Sequence, residues 1–265
     1  MTLVTSADVA AFAAEGAVCL RGLFRDWLPV IEAGIERNLR EPGPYASENT
    51  KAGDTGRFFD DYCNWERIPE YRDLVLHSPA AEVAAAIMGS DSAQFFHDHV
   101  LIKEPGTSKA TPWHQDIPYY FVEGRQTVSF WIPVDPVREA TLRFVAGSHL
   151  WDKRVLPVRW LSDASFYPDP TAYRPVPDPD REAGYKVLEW PLEPGDCVLF
   201  NYGTLHGARG NMTGQRRRAL SIRFVGDDAR YAERPGRTSP PYPGHAMVAG
   251  QRLREDWFPV VWPRR

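Results

Sequence analysis

The sequence predicts a mainly β protein, an antiparallel sandwich or jelly roll with helices on its N-terminal side. Three observations point there. From Gln94 onward the chain runs in short β-branched and aromatic segments, "QFFHDHVLIKE", "QTVSFWIPV", "ATLRFVAG", "YKVLEWPL", "DCVLFNY" and "RALSIRFVG", with no helical pattern between them. Turn signals such as "KEPG" and "LEPGD" punctuate these runs. The chain also carries 24 prolines. Proline is excluded from helix interiors and central strands, so this many implies loops and short strands.

The first third reads differently. Ser6 is an N-cap candidate for a helix through Val9, Phe12 and Ala13, which Gly16 ends. "AVCLRGLF" reads as a short strand leading into a second helix, Trp27 to Leu39, with Pro29 tolerated in its first turn. A further helix from Pro79 to Met88 stops at Gly89. The expected plan is therefore one domain, with a helical part at about 1–93, a jelly-roll core at about 94–226 and a C-terminal extension at 227–265. No internal repeat is present. Between Pro157 and Gly184 lies a Pro/Asp-rich insertion, long enough to be either a functional lid or a disordered segment.

Composition narrows the class of partner. The 265 residues are 43% hydrophobic and 25% charged, an ordinary globular balance. A net charge of -4 and a pI near 6.0 give no reason to expect a nucleic-acid or anionic-membrane partner, so a small-molecule substrate is the expectation. Cys19, Cys63 and Cys197 are odd in number and scattered, which argues against a disulfide framework and for a reducing, cytoplasmic setting. The start "MTLVTSADVA" lacks a signal-peptide pattern, and no stretch approaches the ~20 apolar residues of a membrane span. Oligomeric state is not readable.

"PWHQDIPYY" carries the first chemical signal, His114-x-Asp116. With 7 histidines in the chain, such a tripeptide alone is as readily accidental as meaningful. On a strand the two side chains would leave one face, about 6–7 Å apart. A third ligand is available 92 residues on, where His206 follows the strand signal "EPGDCVLF". Two histidines and a carboxylate leave metal positions open and suit non-haem Fe(II). In "RRRALSIRFVG" alternation puts Arg217, Ala219, Ser221 and Arg223 on one strand face. A buried arginine there is sensible when it holds a carboxylate bidentately. His97 and His99 share a strand face and form a rival ligand pair, more simply read as sheet histidines or as pocket wall beside the metal. Arg223 and Lys103 could meet an acidic substrate group, with surface pairing the default. The aromatics Trp113, Tyr119, Tyr120 and Phe121 could line a pocket or fill core. His149 reads as a turn residue.

Taken together, "HQDIPYY", "SFWIPVDP", "FVAGSH", "EPGDCVLF" and "HGARGNMTGQRRRAL" resemble the phytanoyl-CoA dioxygenase family of Fe(II)/2-oxoglutarate oxygenases. The resemblance runs from the N-terminal helix to about Val225 and is strongest from Pro112 onward. It implies a double-stranded β-helix (a cupin-like jelly roll) with flanking N-terminal helices. It also implies His114, Asp116 and His206 as catalytic iron ligands, Arg217 on the distal carboxylate of 2-oxoglutarate, and Trp131 in the cosubstrate pocket. The implied reaction consumes O2, releases succinate and CO2, and hydroxylates an unactivated C–H bond of a small or medium-sized metabolite. Halogenating relatives carry a small residue where this chain has Asp116, so the aspartate favours a hydroxylase. Two positions depart from the pattern: "REATLRF" replaces an Asn-Gly turn, and Ala208 stands where some relatives place a serine near the cosubstrate. Two other readings stay open, a Zn-dependent hydrolase using an open metal position and a non-catalytic jelly roll with a structural metal.

Overall fold

The structure is a computed structural model and describes residues 3–160 and 164–263. Helix α1 (Ser6–Glu15) begins one residue earlier than Ser6 suggests, with Thr5 as the cap. The choice is made by Asp8: the Thr5 side chain accepts from the Asp8 N–H (3.2 Å), and the Asp8 carboxylate accepts from the Thr5 N–H (2.9 Å). Gly16, at φ +81°, ends the helix in the left-handed region. Strand β1 (Ala17–Leu20) follows, then α2 (Leu28–Arg40), with Pro29 in its first turn as expected. Two short strands, β2 (Ser47–Glu48) and β3 (Phe58–Tyr62), precede a pair of helices, α3 (Pro69–His77) and α4 (Ala80–Met88). The sequence reading lacked α3, whose "PEYRDLVLH" is too short and too charged to carry a clear apolar stripe.

The remaining strands are β4 (Ala93–Lys103), β5 (Thr111–His114), β6 (Val122–Glu123), β7 (Thr127–Pro133), β8 (Leu142–Val145), β9 (Val187–Glu189), β10 (Cys197–Phe200), β11 (His206–Ala208), β12 (Arg217–Val225), β13 (Arg230–Tyr231) and β14 (Val260–Trp262). All six predicted runs form strands. An eight-stranded antiparallel sheet runs β1-β10-β7-β12-β4-β3-β2, with β14 also on β4. A four-stranded sheet runs β5-β11-β8-β9, and β6 pairs with β13. This is the jelly roll the strand pattern predicts. The first third is less purely helical than its sequence suggests, because β1, β2 and β3 extend the large sheet at its two edges.

Alternation gives the large sheet two unlike faces. Outward, Val100, Ile102, Phe130, Ile132, Leu220 and Ile222 pack on the helices in one apolar core. Each such side chain contributes roughly 1.5–3 kcal/mol through burial. Inward, His97, His99 and Leu101 of β4, Trp131 of β7, and Arg217, Ser221 and Arg223 of β12 face a cavity of about 450 Å3 that side chains of the small sheet also line. The Pro157–Gly184 insertion joins β8 to β9 and is tied to this side: the Tyr167 O–H donates to the Pro118 carbonyl (3.0 Å). Val158, Arg159, Trp160 and Phe166 reach the cavity wall. Among the described residues no helix is long and apolar enough to cross a membrane.

Candidate metal centre and cosubstrate pocket

Two short strands of the small sheet set the first distances. β5 and β11 are antiparallel, with His114 directly opposite His206, so both imidazoles project from neighbouring positions on one face. Asp116 joins them by a different route from the strand alternation expected of it. β5 ends at His114, and Asp116 adopts helical dihedrals (φ -71°, ψ -41°) at the start of a 3-10 turn, which swings its carboxylate back toward the histidines. Its Oδ1 lies 3.6 Å from His114 Nε2 and 3.9 Å from His206 Nε2. One donor atom from each of the three residues falls within 4.8 Å of the others, and all three residues are buried.

The surrounding backbone prepares these donors. His114 Nδ1–H donates to the Pro112 carbonyl (2.8 Å) and His206 Nδ1–H to the Thr204 carbonyl (3.0 Å). A carbonyl can only accept, so each ring carries its proton on Nδ1 and presents the Nε2 lone pair. Burial, then the nearby His114, pushes His206 down to about 3, which keeps it neutral. Gln115 locks the two ligand turns together: its Nε2 donates to the Gly203 carbonyl (2.5 Å), and its Oε1 accepts from the Val155 N–H (2.9 Å). On Asp116, Oδ2 accepts from Ser129 Oγ (3.3 Å) and Arg223 Nε (3.4 Å), leaving Oδ1 as the inward donor. Burial alone would raise this carboxyl, but Arg223 and the two histidines hold it well below the usual carboxylate range.

Arg217 points into the same cavity from β12, as alternation predicts. It is buried, its Nη1 donates to the Ala140 carbonyl (2.9 Å), and its guanidinium lies 5.5 Å from the Trp131 ring. Nε has no partner, and Arg217 forms no ion pair among the described residues. Burial without a counter-charge pushes it down to about 10. Trp131, cross-strand from Ser221, lines the cavity beside it. A cation left unpaired on an aromatic wall suits a carboxylate brought in by a ligand. A donor set of two histidines and one carboxylate likewise suits Fe(II) with open positions.

Several neighbours differ from their sequence expectations. Arg223, for which surface pairing was the default, is buried against Asp116, because its strand position faces the cavity interior. Lys103 is also buried: its Nζ donates to the Lys109 carbonyl (2.9 Å) and sits 4.5 Å from the Phe58 ring, away from the cavity lining. His97 and His99 line the cavity, but neither belongs to the metal-ready group. His99 Nε2 donates to Asp60 (2.9 Å). Among the aromatics, Tyr119 and Tyr120 line the cavity, Phe121 packs in core, and Trp113 turns toward Arg143 (5.1 Å). His149 sits in a 3-10 turn, where its Nε2 donates to the Ala13 carbonyl (3.1 Å). Trp160 of the insertion, 5.1 Å from the His114 ring, and the stacked pair Tyr45–Tyr62 (4.9 Å) complete the walls without any local sequence signal.

Residues 12–219 match the phytanoyl-CoA dioxygenase family. The chain belongs to that family. Among curated family relatives, it is 28% identical over 169 residues to the dioxygenase lolE1 of Epichloe uncinata, covering 58% of this chain and 56% of that protein. It is 26% identical over 189 residues to a probable phytanoyl-CoA dioxygenase of Caenorhabditis elegans, covering 67% and 54%. The matches thus span just over half the length of those two relatives. The fold is similar to that of the non-haem α-ketoglutarate-dependent carbocyclase SnoK from nogalamycin biosynthesis, with TM-score 0.74, 24% identity, and coverage of 97% of this chain and 96% of that one. It is also similar to EctD from S. alaskensis, solved with 2-oxoglutarate and 5-hydroxyectoine, with TM-score 0.68, 18% identity, and coverage of 96% and 87%.

Proposed function

We propose that this protein is a non-haem Fe(II)- and 2-oxoglutarate-dependent dioxygenase that hydroxylates an unactivated C–H bond of a small or medium-sized metabolite, releasing succinate and CO2. The observation that carries the reading is the pairing, in one cavity, of a buried two-histidine, one-carboxylate set with a buried arginine lacking a counter-ion. Family membership supports it. His114, Asp116 and His206 hold the iron, Arg217 anchors the distal carboxylate of 2-oxoglutarate, and Trp131 walls that end of the site. When bound, iron and 2-oxoglutarate together supply the O2 activation that the side chains cannot. The protein's own share is positional. The carbonyls of Pro112 and Thr204 orient the two imidazoles, Ser129 and Arg223 hold the second oxygen of Asp116, and Trp160 and Phe166 shield the site from water.

Arg217 also separates this reading from a zinc hydrolase or a structural metal clip, since neither needs an unpaired cation beside the metal. A cavity of about 450 Å3 fits a metabolite with its cosubstrate and is small for a whole coenzyme thioester. Three free cysteines fit a reducing cytoplasm. The deciding experiment is anaerobic titration with Fe(II) and 2-oxoglutarate, watching for the visible charge-transfer band of the chelate. A band that is lost in His206→Ala, with succinate released under air, is the expected result. Retained zinc with hydrolytic activity indifferent to 2-oxoglutarate would replace the assignment.

A further inference from the structure

Arg217 lies at one end of the inward face of β12, and Arg223 lies six residues along the same strand, roughly 20 Å away at strand rise. Arg223 is paired in register with His97 of β4, so the two side chains stand side by side on the cavity wall. Both are more than nine-tenths buried, and each has one polar atom without a partner, Nη1 on Arg223 and Nε2 on His97. Buried polar atoms in folded proteins are nearly always hydrogen-bonded, so two adjacent exceptions in one cavity call for an explanation.

The two atoms differ in kind. His97 Nδ1 donates to the Asp98 carbonyl (3.1 Å), which places the ring proton on Nδ1 and leaves Nε2 as an acceptor. Burial, then the adjacent Arg223, holds the ring neutral. Arg223 Nη1 can only donate. A hydroxyl group is the simplest group that satisfies both, giving its proton to His97 Nε2 and accepting from Arg223 Nη1. The charge balance favours a neutral guest here. Asp116 already offsets Arg223, and Asp60 lines the same cavity, whereas Arg217 has no such offset. Aromatic rings stand beside the pair: Tyr120 lies 5.2 Å from His97 and Tyr62 lies 6.4 Å from it, and Trp160 and Phe166 of the insertion line the same cavity.

We infer that Arg223 and His97 form a donor–acceptor subsite that reads a hydroxyl on a neutral, planar aromatic substrate and positions it beside Asp116. Its part in turnover rests on the oxygenase reading, but its binding chemistry does not. The test is calorimetric titration of the full chain with 2-naphthol and with 2-methoxynaphthalene, which keeps the ring and the oxygen but has no proton to give. Loss of one good hydrogen bond predicts at least about tenfold tighter binding of 2-naphthol. His97→Phe should bring the two affinities within about twofold, whereas His97→Gln, which keeps an acceptor, should retain most of the preference. Equal affinities in the wild-type chain, no binding of 2-naphthol, or a preference that survives His97→Phe would each overturn the subsite. Should His97→Phe not fold, the wild-type comparison and His97→Gln still decide it. If the preference is found and the iron chelate band is absent, the oxygenase reading fails and the subsite stands. If the band is present and the preference absent, only the subsite falls.

Discussion

Replacing Arg217 by methionine should make the ligand-free protein more stable while weakening its hold on 2-oxoglutarate. The guanidinium is buried and is pushed down to about 10 by burial alone. A depressed cation is disfavoured in the folded state at every pH below its folded value, so the penalty is in force at neutral pH. At about 1.4 kcal/mol per pKa unit it comes to about 3 kcal/mol. Methionine escapes that cost and fills similar volume. It gives up the hydrogen bond to Ala140, worth about 1 kcal/mol, and the contact with Trp131, worth about 1 kcal/mol. The net gain is about 1 kcal/mol, or a rise of about 2–4 °C in Tm for a chain of this size. Adding 2-oxoglutarate with metal at a hundredfold excess over Kd should stabilise the wild type by about 2.7 kcal/mol. A tenfold weaker variant keeps about 1.4 kcal/mol or less at that concentration. Urea melts with and without ligand measure both terms. A variant that is less stable than wild type and keeps the full ligand increment would refute the reasoning.

Other perturbations follow from the same contacts. Asp116→Ala should abolish metal binding and also destabilise the fold by about 3 kcal/mol, because Arg223 is left buried and unpaired. Adding Arg223→Met should recover much of that stability but no metal, and a single variant as stable as wild type in urea would show that the pair carries no weight. Gly16→Ala should cost at least about 1 kcal/mol, since φ is +81° and a Cβ would fall 2.5 Å from Thr204 Oγ1. Because the Thr204 carbonyl orients His206, metal affinity should fall with it, and unchanged affinity in a metal titration would separate the two sites. Tyr119→Phe removes a hydroxyl that donates to the Val158 carbonyl (2.7 Å) and accepts from the Val158 N–H (2.8 Å). Amide exchange at Val158 should accelerate about tenfold, as expected for a loss of about 1–2 kcal/mol, and an unchanged rate would mean that the insertion is held by its other contacts.

The residues legible in sequence were those whose meaning is local. Strand runs announced themselves by alternation and turn residues, and period two set Arg217 on one strand face with Ala219, Ser221 and Arg223. His114, Asp116 and His206 were recognisable as a ligand set by type and order, although Asp116 reaches its place through a helical turn that alternation does not describe. Arg223 was misjudged because its partner lies 107 residues away in sequence, and only the packing of β12 under the β5 turn shows that the charge is met. Separation along the chain also hid the Asp60–His99 contact, 39 residues apart, where "FFDDY" forms a strand with both aspartates buried. Trp160 sits in a Pro/Asp-rich insertion whose composition speaks of loops and says nothing of which side chain turns inward.

The sequence by itself determined the chemistry available and the faces that could carry it. Residue types set what can bind a metal or hold a carboxylate, and backbone periodicity sets which neighbours share a side. Tertiary structure decided which charges are solvated and which are enclosed, which orphan atoms share a cavity, and which remote segments wall it. Those outcomes depend on desolvation and on contacts between residues far apart in the chain, and neither is encoded in any single stretch of it.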